Sequence, residues 1–165
     1  MRPATAILPL VLCCSVLHAQ WCIREISTTD SVYIDQSESV FLAAFGKPSR
    51  TDTLIAEGCR THFYDKGLIV WTDTETKAIV GIDVSSRNFA TVEGAKLGDT
   101  KARLLELYGE GRVYDEVRHL HSYYAYTFKD FSQILYYEYV DGSFHAFYLK
   151  NDRLVRIHYY KGTQE

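Results

Sequence analysis

The sequence predicts an α+β protein of two tandem units, each a short helix packed on an antiparallel β-meander. Two observations predict this fold. The segments SESVFLAAFG (37–46) and TKARLLELYG (100–109) share a Ser or Thr start, apolar residues at helical spacing, and an aromatic residue followed by Gly. Each is then followed by short runs of β-branched and aromatic residues that alternate with turn residues, which is typical of a meander.

Unit one spans about residues 31–86. Its helix begins after Asp35-Gln-Ser-Glu38, which has the form of a capping box, and it ends at Gly46 and Pro48. The strand-like runs that follow are RTHFYDK (60–66), LIVWTD (68–73) and KAIVGIDVS (77–85).

Unit two spans about residues 96–161, and RNFATVEGAK (87–96) is the predicted joint between the units. Asp99 or Thr100 caps its helix, and Gly109 ends it. The strand-like runs that follow are SYYAYTFK (122–129), QILYYEYV (133–140), SFHAFYLK (143–150) and RLVRIHYY (153–160). The dipeptides Asp141-Gly142 and Asn151-Asp152 predict two-residue hairpin turns between the last three strands.

The first twenty residues have the layout of a secretory signal, with one basic residue, an apolar run of about 13 residues, and a small residue before the cleavage point. We predict a signal peptide at 1–19 and a single α+β domain at 20–165. The apolar run is too short to span a membrane as a helix. The protein is therefore expected to be exported, to the periplasm or outside the cell. A lipid anchor on Cys13 or Cys14 is the alternative.

Charge and cysteine content narrow the class of protein further. The formal net charge is −3 and no basic stripe is present, which argues against a nucleic-acid partner. Cys22 and Cys59 remain after cleavage, and an even pair in an exported protein predicts a disulfide, which would stabilise the fold by roughly 4 kcal/mol. The alternative to the disulfide is that both cysteines are free, buried thiols. No further run is apolar and long enough to span a membrane.

Most of the mature chain follows one pattern, in which a helix and its stop are followed by aromatic strands. The segments FGKPSR (45–50) and LGDTKARLLELYGEG (97–111) carry this pattern. In this the chain resembles the β-lactamase inhibitory protein and the small outer-membrane assembly lipoproteins. The second unit departs from the pattern because it lacks the Pro after the helix. The resemblance implies a tandem helix-on-sheet architecture and a non-catalytic role, in which the protein inhibits an enzyme or scaffolds an assembly by surface contact.

The two hairpin turns assign the side chains of the last strands to two faces, because opposed residues share a face and side chains alternate along a strand. The predicted core face holds Leu135, Tyr137, Tyr139, Phe144, Ala146, Tyr148, Val155, Ile157 and Tyr159, with Tyr124, Tyr126 and Phe128 from the preceding strand. The predicted open face holds Tyr123, Tyr136, Glu138, His145, Phe147, Arg156, His158 and Tyr160. Aromatic residues and Arg are over-represented at binding hot spots, so we predict that the open face binds a protein partner. The alternative is a solvent-exposed sheet face whose aromatic residues reflect β-propensity.

We therefore expect an exported, non-catalytic binding protein of the inhibitor, immunity or envelope-interaction type, with no cofactor. Its partner would be a protein of the bacterial envelope or of the extracellular space. One alternative is a structural envelope component, and another is a small metal-dependent enzyme. The enzyme alternative rests on Glu138, His145 and His158, because two imidazoles and a carboxylate are a common ligand set for a divalent metal. No nucleophile elbow or phosphate-binding loop is present in the sequence.

Overall fold

The computed structural model describes residues 22–28, 30–54, 58–114, 131–140 and 142–162. The described residues form eleven strands and two helices. In chain order the elements are β1 (Cys22–Glu25), β2 (Ser31–Tyr33), α1 (Glu38–Phe45), β3 (Arg50–Leu54), β4 (Cys59–Tyr64), β5 (Leu68–Asp73), β6 (Ile79–Val84), β7 (Phe89–Thr91), α2 (Lys101–Tyr108), β8 (Arg112–Tyr114), β9 (Gln133–Glu138), β10 (Phe144–Lys150) and β11 (Arg153–Tyr160).

The predicted fold class of two tandem helix-on-meander units is wrong. The described part is mostly β, and its main element is one antiparallel sheet of eight strands in the order β3-β4-β5-β6-β11-β10-β9-β8. Strands from both halves of the chain are joined in it, because β6 pairs directly with β11. A second sheet of three strands, β2-β1-β7, combines the N-terminal strands with the segment that we expected to be a joint. The pairing of β6 with β11 satisfies backbone groups that two separate meanders would leave at open edges.

Both helices lie where their sequence patterns predict them. The Thr100 hydroxyl accepts a hydrogen bond from the Arg103 backbone N–H at 3.2 Å and so caps α2. The predicted capping box of α1 is not formed: Ser37 is the N-cap residue and makes no side-chain cap bond, and Asp35 has a φ of 68°. The first turn of α1 is instead tied to the sheet.

Glu38 makes this connection between α1 and β4. Its Oε1 atom accepts from Nη1 of Arg60 at 3.2 Å and lies 3.1 Å from Nε2 of His62. His62 is 2% exposed, and Thr72 lies 3.1 Å from the same ring nitrogen. Burial lowers the pKa of His62 below its usual range. The cluster holds the start of α1 on the sheet without a side-chain cap.

One face of the eight-stranded sheet, which we call the helix face, packs against both helices and the small sheet. Phe41 of α1 and Leu104 of α2 are fully buried in the same core as Ile23 of β1 and Phe89 of β7. The sheet contributes the following buried residues to this core: Leu68, Val70, Ile82, Val84, Leu135, Phe147, Leu149, Leu154, Ile157 and Tyr159. The opposite side of the sheet, on which neither α1 nor α2 packs, we call the helix-free face.

The turn between β9 and β10 differs from the prediction by one residue. Glu138 pairs with Phe144, and the Tyr139 N–H donates to the Ser143 carbonyl at 2.9 Å. Three residues, 140–142, therefore connect the strands, where the Asp-Gly pattern predicted two. A one-residue change in register moves every side chain of a strand to the other face.

The turn between β10 and β11 has the predicted two residues, Asn151 and Asp152, both with positive φ. A β-bulge follows it, because Leu149 pairs with Leu154 whereas Tyr148 pairs with Arg156. The extra residue of the bulge, at 155, shifts the register of the rest of β11 against β10 by one. Relative to the prediction, β9 and most of β11 keep their faces and β10 is reversed.

Part of the predicted organisation lies outside the described residues. This applies to the signal peptide at 1–19, to Cys13 and Cys14, and to Tyr123, Tyr124, Tyr126 and Phe128. In the part of the chain that the structure describes, no helix has the length and apolar character that a membrane crossing requires.

Candidate functional site: an aromatic sheet face

The helix-free face carries three rows of side chains that run across the strands. Each row follows from the pairing register of β4 to β11. The first row contains Trp71, Gly81, Tyr160, Phe144 and Glu138; the second contains Phe63, Ile69, Asp83, His158, Ala146, Tyr136 and Arg112; the third contains Arg156, Tyr148, Ile134 and Tyr114.

Gly81 lets two large aromatic side chains approach the centre of this face. A Cβ atom at Gly81 would lie 2.8 Å from the Trp71 ring and 3.3 Å from the Tyr160 ring. The position therefore excludes a side chain by close approach, although its φ is ordinary. Trp71 is 8% exposed and contacts His158 edge-on, with 5.4 Å between ring centroids.

Phe144 is the centre of the aromatic cluster. Its ring centroid lies 5.1 Å from that of Tyr136, 5.6 Å from that of His158 and 5.7 Å from that of Tyr160. Phe144, Tyr136 and Tyr160 are all half-buried, so each presents part of its ring at the surface. Burial raises the pKa of Tyr136 to about 12, and its phenol is therefore neutral at physiological pH.

A buried charged pair lies on the same face, next to His158. Asp83 is 0% exposed, and Nε of Arg156 lies 2.7 Å from each of its two carboxylate oxygens. Nδ1 of His158 lies 3.3 Å from Oδ2 of the same carboxylate, and His158 is also 0% exposed. The side chain of Arg156 is 17% exposed, so the pair is almost fully removed from water. Asp83 therefore orients both Arg156 and His158 on this face.

The other arginines of the face are also paired with acids. Nη1 of Arg112 lies 3.0 Å from Oε2 of Glu138, and Nη2 of Arg50 lies 3.1 Å from Oδ2 of Asp52. The Arg50 guanidinium also lies over the Phe63 ring, 3.9 Å from its centroid. With Asp83–Arg156, each of these arginines faces a carboxylate. Among the described residues, the face is thus aromatic and locally neutral in charge.

The structure brings together five of the predicted partner-binding residues, which are Tyr136, Glu138, Arg156, His158 and Tyr160. The placement of His145 and Phe147 on the open face is wrong. Both are buried on the helix face, at 2% and 0% exposure, because the longer turn reverses β10. Tyr123 lies outside the described residues.

The same reversal corrects the predicted core face. Phe144, Ala146 and Tyr148 lie on the helix-free face, where Ile134, Ala146 and Tyr148 form a small cluster of their own. Phe131 packs edge-on against Tyr148, with 5.0 Å between centroids. Val155, the extra residue of the bulge, also packs on this cluster.

The proposed metal ligands do not converge. Glu138 and His158 lie on the helix-free face, whereas His145 lies on the helix face and is stacked on Tyr159, with 4.1 Å between centroids. Within the described ranges, no three His, Cys, Asp or Glu side chains are placed to hold a metal ion. The enzyme alternative built on these three residues has no geometric basis.

The residues of this site that sequence reasoning missed include Trp71, Asp83 and Phe144. Asp83 had a usable signal, because a carboxylate inside the apolar run IVGIDV predicts a buried anion that needs a cationic partner. Phe144 was missed because its face depends on the length of the preceding turn. Trp71 belongs to the first half of the chain, and no local pattern indicates that this half pairs with the second.

The predicted Cys22–Cys59 disulfide is not present in the structure. Cys22 begins β1 of the three-stranded sheet, and Cys59 begins β4 of the eight-stranded sheet. Both are half-buried, and burial raises the pKa of the Cys22 thiol. The even cysteine count could not show that the two residues belong to different sheets.

The chain was compared with known proteins by sequence and by structure. No family model matches the sequence, and no curated protein matches it. Its structure is similar to that of an extracellular protein containing an SCP domain from Bacillus anthracis, with a TM-score of 0.55, 13% identity, and coverage of 78% of this chain and 44% of that one. It is also similar to a cysteine-rich secretory protein from Staphylococcus aureus, with a TM-score of 0.50, 14% identity, and coverage of 78% and 43%. The chain spans less than half the length of either protein, and at this identity the likeness concerns the fold.

Proposed function

We propose that this chain is an exported, non-catalytic binding protein that docks a protein partner on the helix-free face of its sheet. The observation that carries the proposal is the cluster of half-buried rings of Tyr136, Phe144 and Tyr160, which shares its face with the buried Asp83–Arg156 pair. Tyr and Arg are the residue types that dominate binding hot spots, and a rigid sheet presents them with little loss of conformational entropy.

Export is supported by the signal-like first nineteen residues. The two similar structures agree with it, since one protein is described as extracellular and the other as secretory. Binding of a partner by surface contact is also what the resemblance to the β-lactamase inhibitory protein implies. The partner would lie in the cell envelope or outside the cell.

The charge distribution defines the chemistry of the partner surface. Arg50, Arg112 and Arg156 are each compensated by an acid on the same face. A docking surface of this kind favours a partner patch that is apolar and has little net charge. Binding is then driven by buried aromatic area rather than by long-range attraction, so the affinity should change little with ionic strength.

The test compares the wild type with single alanine variants of Tyr136, Phe144 and Tyr160. Partners are captured from the envelope fraction and identified by mass spectrometry, and their affinity is measured with purified components at low and high salt. We expect each variant to weaken binding by about 1–3 kcal/mol. Tyr33→Ala serves as the matched control, because Tyr33 is a half-buried tyrosine of the three-stranded sheet.

The result that would overturn the proposal is a captured partner whose affinity responds equally to Tyr33→Ala and to the three variants of the face. Capture of many envelope components that does not depend on Tyr136, Phe144 or Tyr160 would support the structural-component alternative instead. An affinity that falls steeply with salt would contradict the assignment of a neutral, apolar partner patch.

A further inference from the structure

A cleft lies away from the aromatic cluster, beside the first residues of β11. Its volume is about 420 Å³, and two arginines, Arg87 and Arg153, line it together with Ser85, Gly98 and Leu154. None of these residues belongs to the aromatic cluster.

The cleft exists because β6 ends before it reaches the first residues of its partner strand, β11. The pairing of β6 with β11 stops at Val84 and Ile157, whereas β11 begins at Arg153. The segment before α2 takes over part of the pairing: the Gly98 N–H donates to the Leu154 carbonyl, and the Leu154 N–H donates to the Asp99 carbonyl, both at 2.8 Å. The chain after Val84 turns away, and space remains between that turn and β11.

Both guanidinium groups are held beside Gly98. Nη1 of Arg153 donates to the Gly98 carbonyl at 3.1 Å. A Cβ atom at Gly98 would lie 3.6 Å from Nη2 of Arg87, so this guanidinium reaches the same residue. Two cations thus converge on one residue at the edge of one cleft.

The described residues place no carboxylate within ion-pair distance of either guanidinium. This distinguishes Arg87 and Arg153 from Arg50, Arg112 and Arg156, each of which faces an acid. Both guanidinium groups carry a positive charge near the same residue, and an anion bound in the cleft would offset the repulsion between them. Guanidinium N–H groups also match the paired oxygens of phosphate and carboxylate groups in geometry.

We propose that this cleft binds an oxyanion, a phosphate or carboxylate group, between Arg87 and Arg153. Each guanidinium donates to one oxygen, and the carbonyl of Gly98 fixes the position of Arg153. The cleft borders the helix-free face through Val155, but it includes none of the rings of Tyr136, Phe144 and Tyr160 and does not depend on the function proposed for them.

The test is an NMR titration of the full mature chain with inorganic phosphate, and separately with acetate, at constant ionic strength maintained with chloride. We expect saturable shifts of the backbone amides of Gly98, Leu154 and Arg87. A third titration with glycerol 3-phosphate distinguishes a free phosphate from a phosphoryl group carried by an organic molecule. A lower Kd for glycerol 3-phosphate than for inorganic phosphate indicates the organic phosphate, and the reverse order indicates the free ion.

Arg87→Gln and Arg153→Gln should each raise the Kd of the binding anion about tenfold, as expected for the loss of one charged hydrogen-bond donor. Arg24→Gln is the matched control, because Arg24 is an exposed arginine of β1 outside the cleft. We expect it to leave the Kd unchanged. Arg153→Lys keeps the positive charge but lacks the planar set of guanidinium N–H donors. It serves as a second variant if Arg153→Gln disturbs the local fold.

Shifts that do not saturate with any of the three anions would overturn the proposal. The same conclusion would follow if Arg24→Gln weakened binding as much as Arg87→Gln. Saturable binding that both Gln variants weaken, with an unchanged amide spectrum elsewhere in the chain, would establish the site.

Discussion

Asp83 is a carboxylate inside an otherwise apolar strand, and its burial has a free-energy cost that its neighbours must offset. Arg156 supplies the opposite charge at 2.7 Å from both oxygens, and His158 adds a third contact. A buried pair of this kind contributes little net stability, but the loss of one partner leaves an uncompensated charge in the interior. Arg156 therefore has a role in folding as well as in presenting the aromatic face.

We expect Asp83→Ala to lower the free energy of unfolding by about 3–5 kcal/mol, because it leaves Arg156 without its carboxylate in a dry environment. The double variant Asp83→Ala/Arg156→Ala should lose less than the sum of the two single variants. Urea unfolding of the four proteins measures this coupling energy. Additive losses would show that the two side chains do not interact energetically.

His145 is buried in a nearly apolar environment on the helix face, where it contacts Tyr159, Tyr108 and Phe147. Burial lowers its pKa to about 3, from an ordinary value of 6.5. Between these two pH values the unfolded chain binds a proton that the folded chain does not. The contribution of neutral His145 to the free energy of unfolding is therefore fully present above about pH 6.5 and is lost as the pH is lowered towards 3.

We expect the free energy of unfolding to fall by about 1.4 kcal/mol per pH unit below pH 6 through His145 alone. His145→Gln should be less stable at pH 7.5 but should lose less stability between pH 6 and pH 4.5. Urea unfolding at several pH values for both proteins checks this. His62 has a lowered pKa as well, so some dependence on pH should remain in the variant. An identical dependence in the two proteins would contradict a neutral, buried His145.

At the scale of elements, the three-residue turn decides which side chains of β10 point towards the helices, and the bulge at Val155 decides the same for β11. Phe147 is 0% exposed and packs on Tyr108 of α2, with 4.8 Å between centroids. Its chain neighbours Ala146 and Tyr148 lie on the other side, with Phe144. A turn before β10 and a bulge in β11 thus set which residues of these strands lie on each face of the sheet.

We expect Phe147→Ala to destabilise the protein by about 3–5 kcal/mol, the cost of truncating a fully buried aromatic residue. Phe144→Ala should cost roughly half of that or less, because Phe144 is only half-buried, and it should weaken partner binding instead. Thermal and urea unfolding of the two variants give the comparison. If Phe144→Ala proved to be the more destabilising change, the register of β10 would be wrong.

At the scale of the molecule, the antiparallel pair of β6 and β11 unites the two halves of the chain. Ile82 of β6 and Tyr159 of β11 are neighbours in this pair and belong to one core with residues from both helices and both sheets. A core that both halves share cannot be divided without exposing it to water. The protein should therefore unfold as one cooperative unit.

Hydrogen exchange under native conditions tests this cooperativity. We expect the slowest amides of β5 and β6 to open with the same free energy as the slowest amides of β10 and β11, and with the same dependence on denaturant. The exposed hairpin end near Val140 should exchange faster and serves as an internal reference. Different opening free energies for the two groups of strands would indicate two independent units.

The positions of the elements followed from local chemistry. Both helices occur where apolar residues at helical spacing are followed by Gly, and Thr100 caps the second as its side chain predicts. The main strands occur where β-branched and aromatic runs lie between turn residues, because these signals act over a few residues. Of the candidate site, Tyr136, Glu138, Arg156, His158 and Tyr160 were identified together because β9 and most of β11 present their side chains on the predicted faces.

What the tertiary structure alone decided concerns pairing between distant segments. The backbone groups of any strand edge can pair with any other, so the sequence of β6 does not indicate that β11 is its neighbour. Whether a turn has two residues or three changes the free energy little locally, yet it moves Phe147 into the core and Phe144 out of it. The sequence by itself therefore determined the elements and the aromatic character of the site. The three-dimensional packing decided which rings share a face, because burial is a property of the whole sheet and not of any one strand.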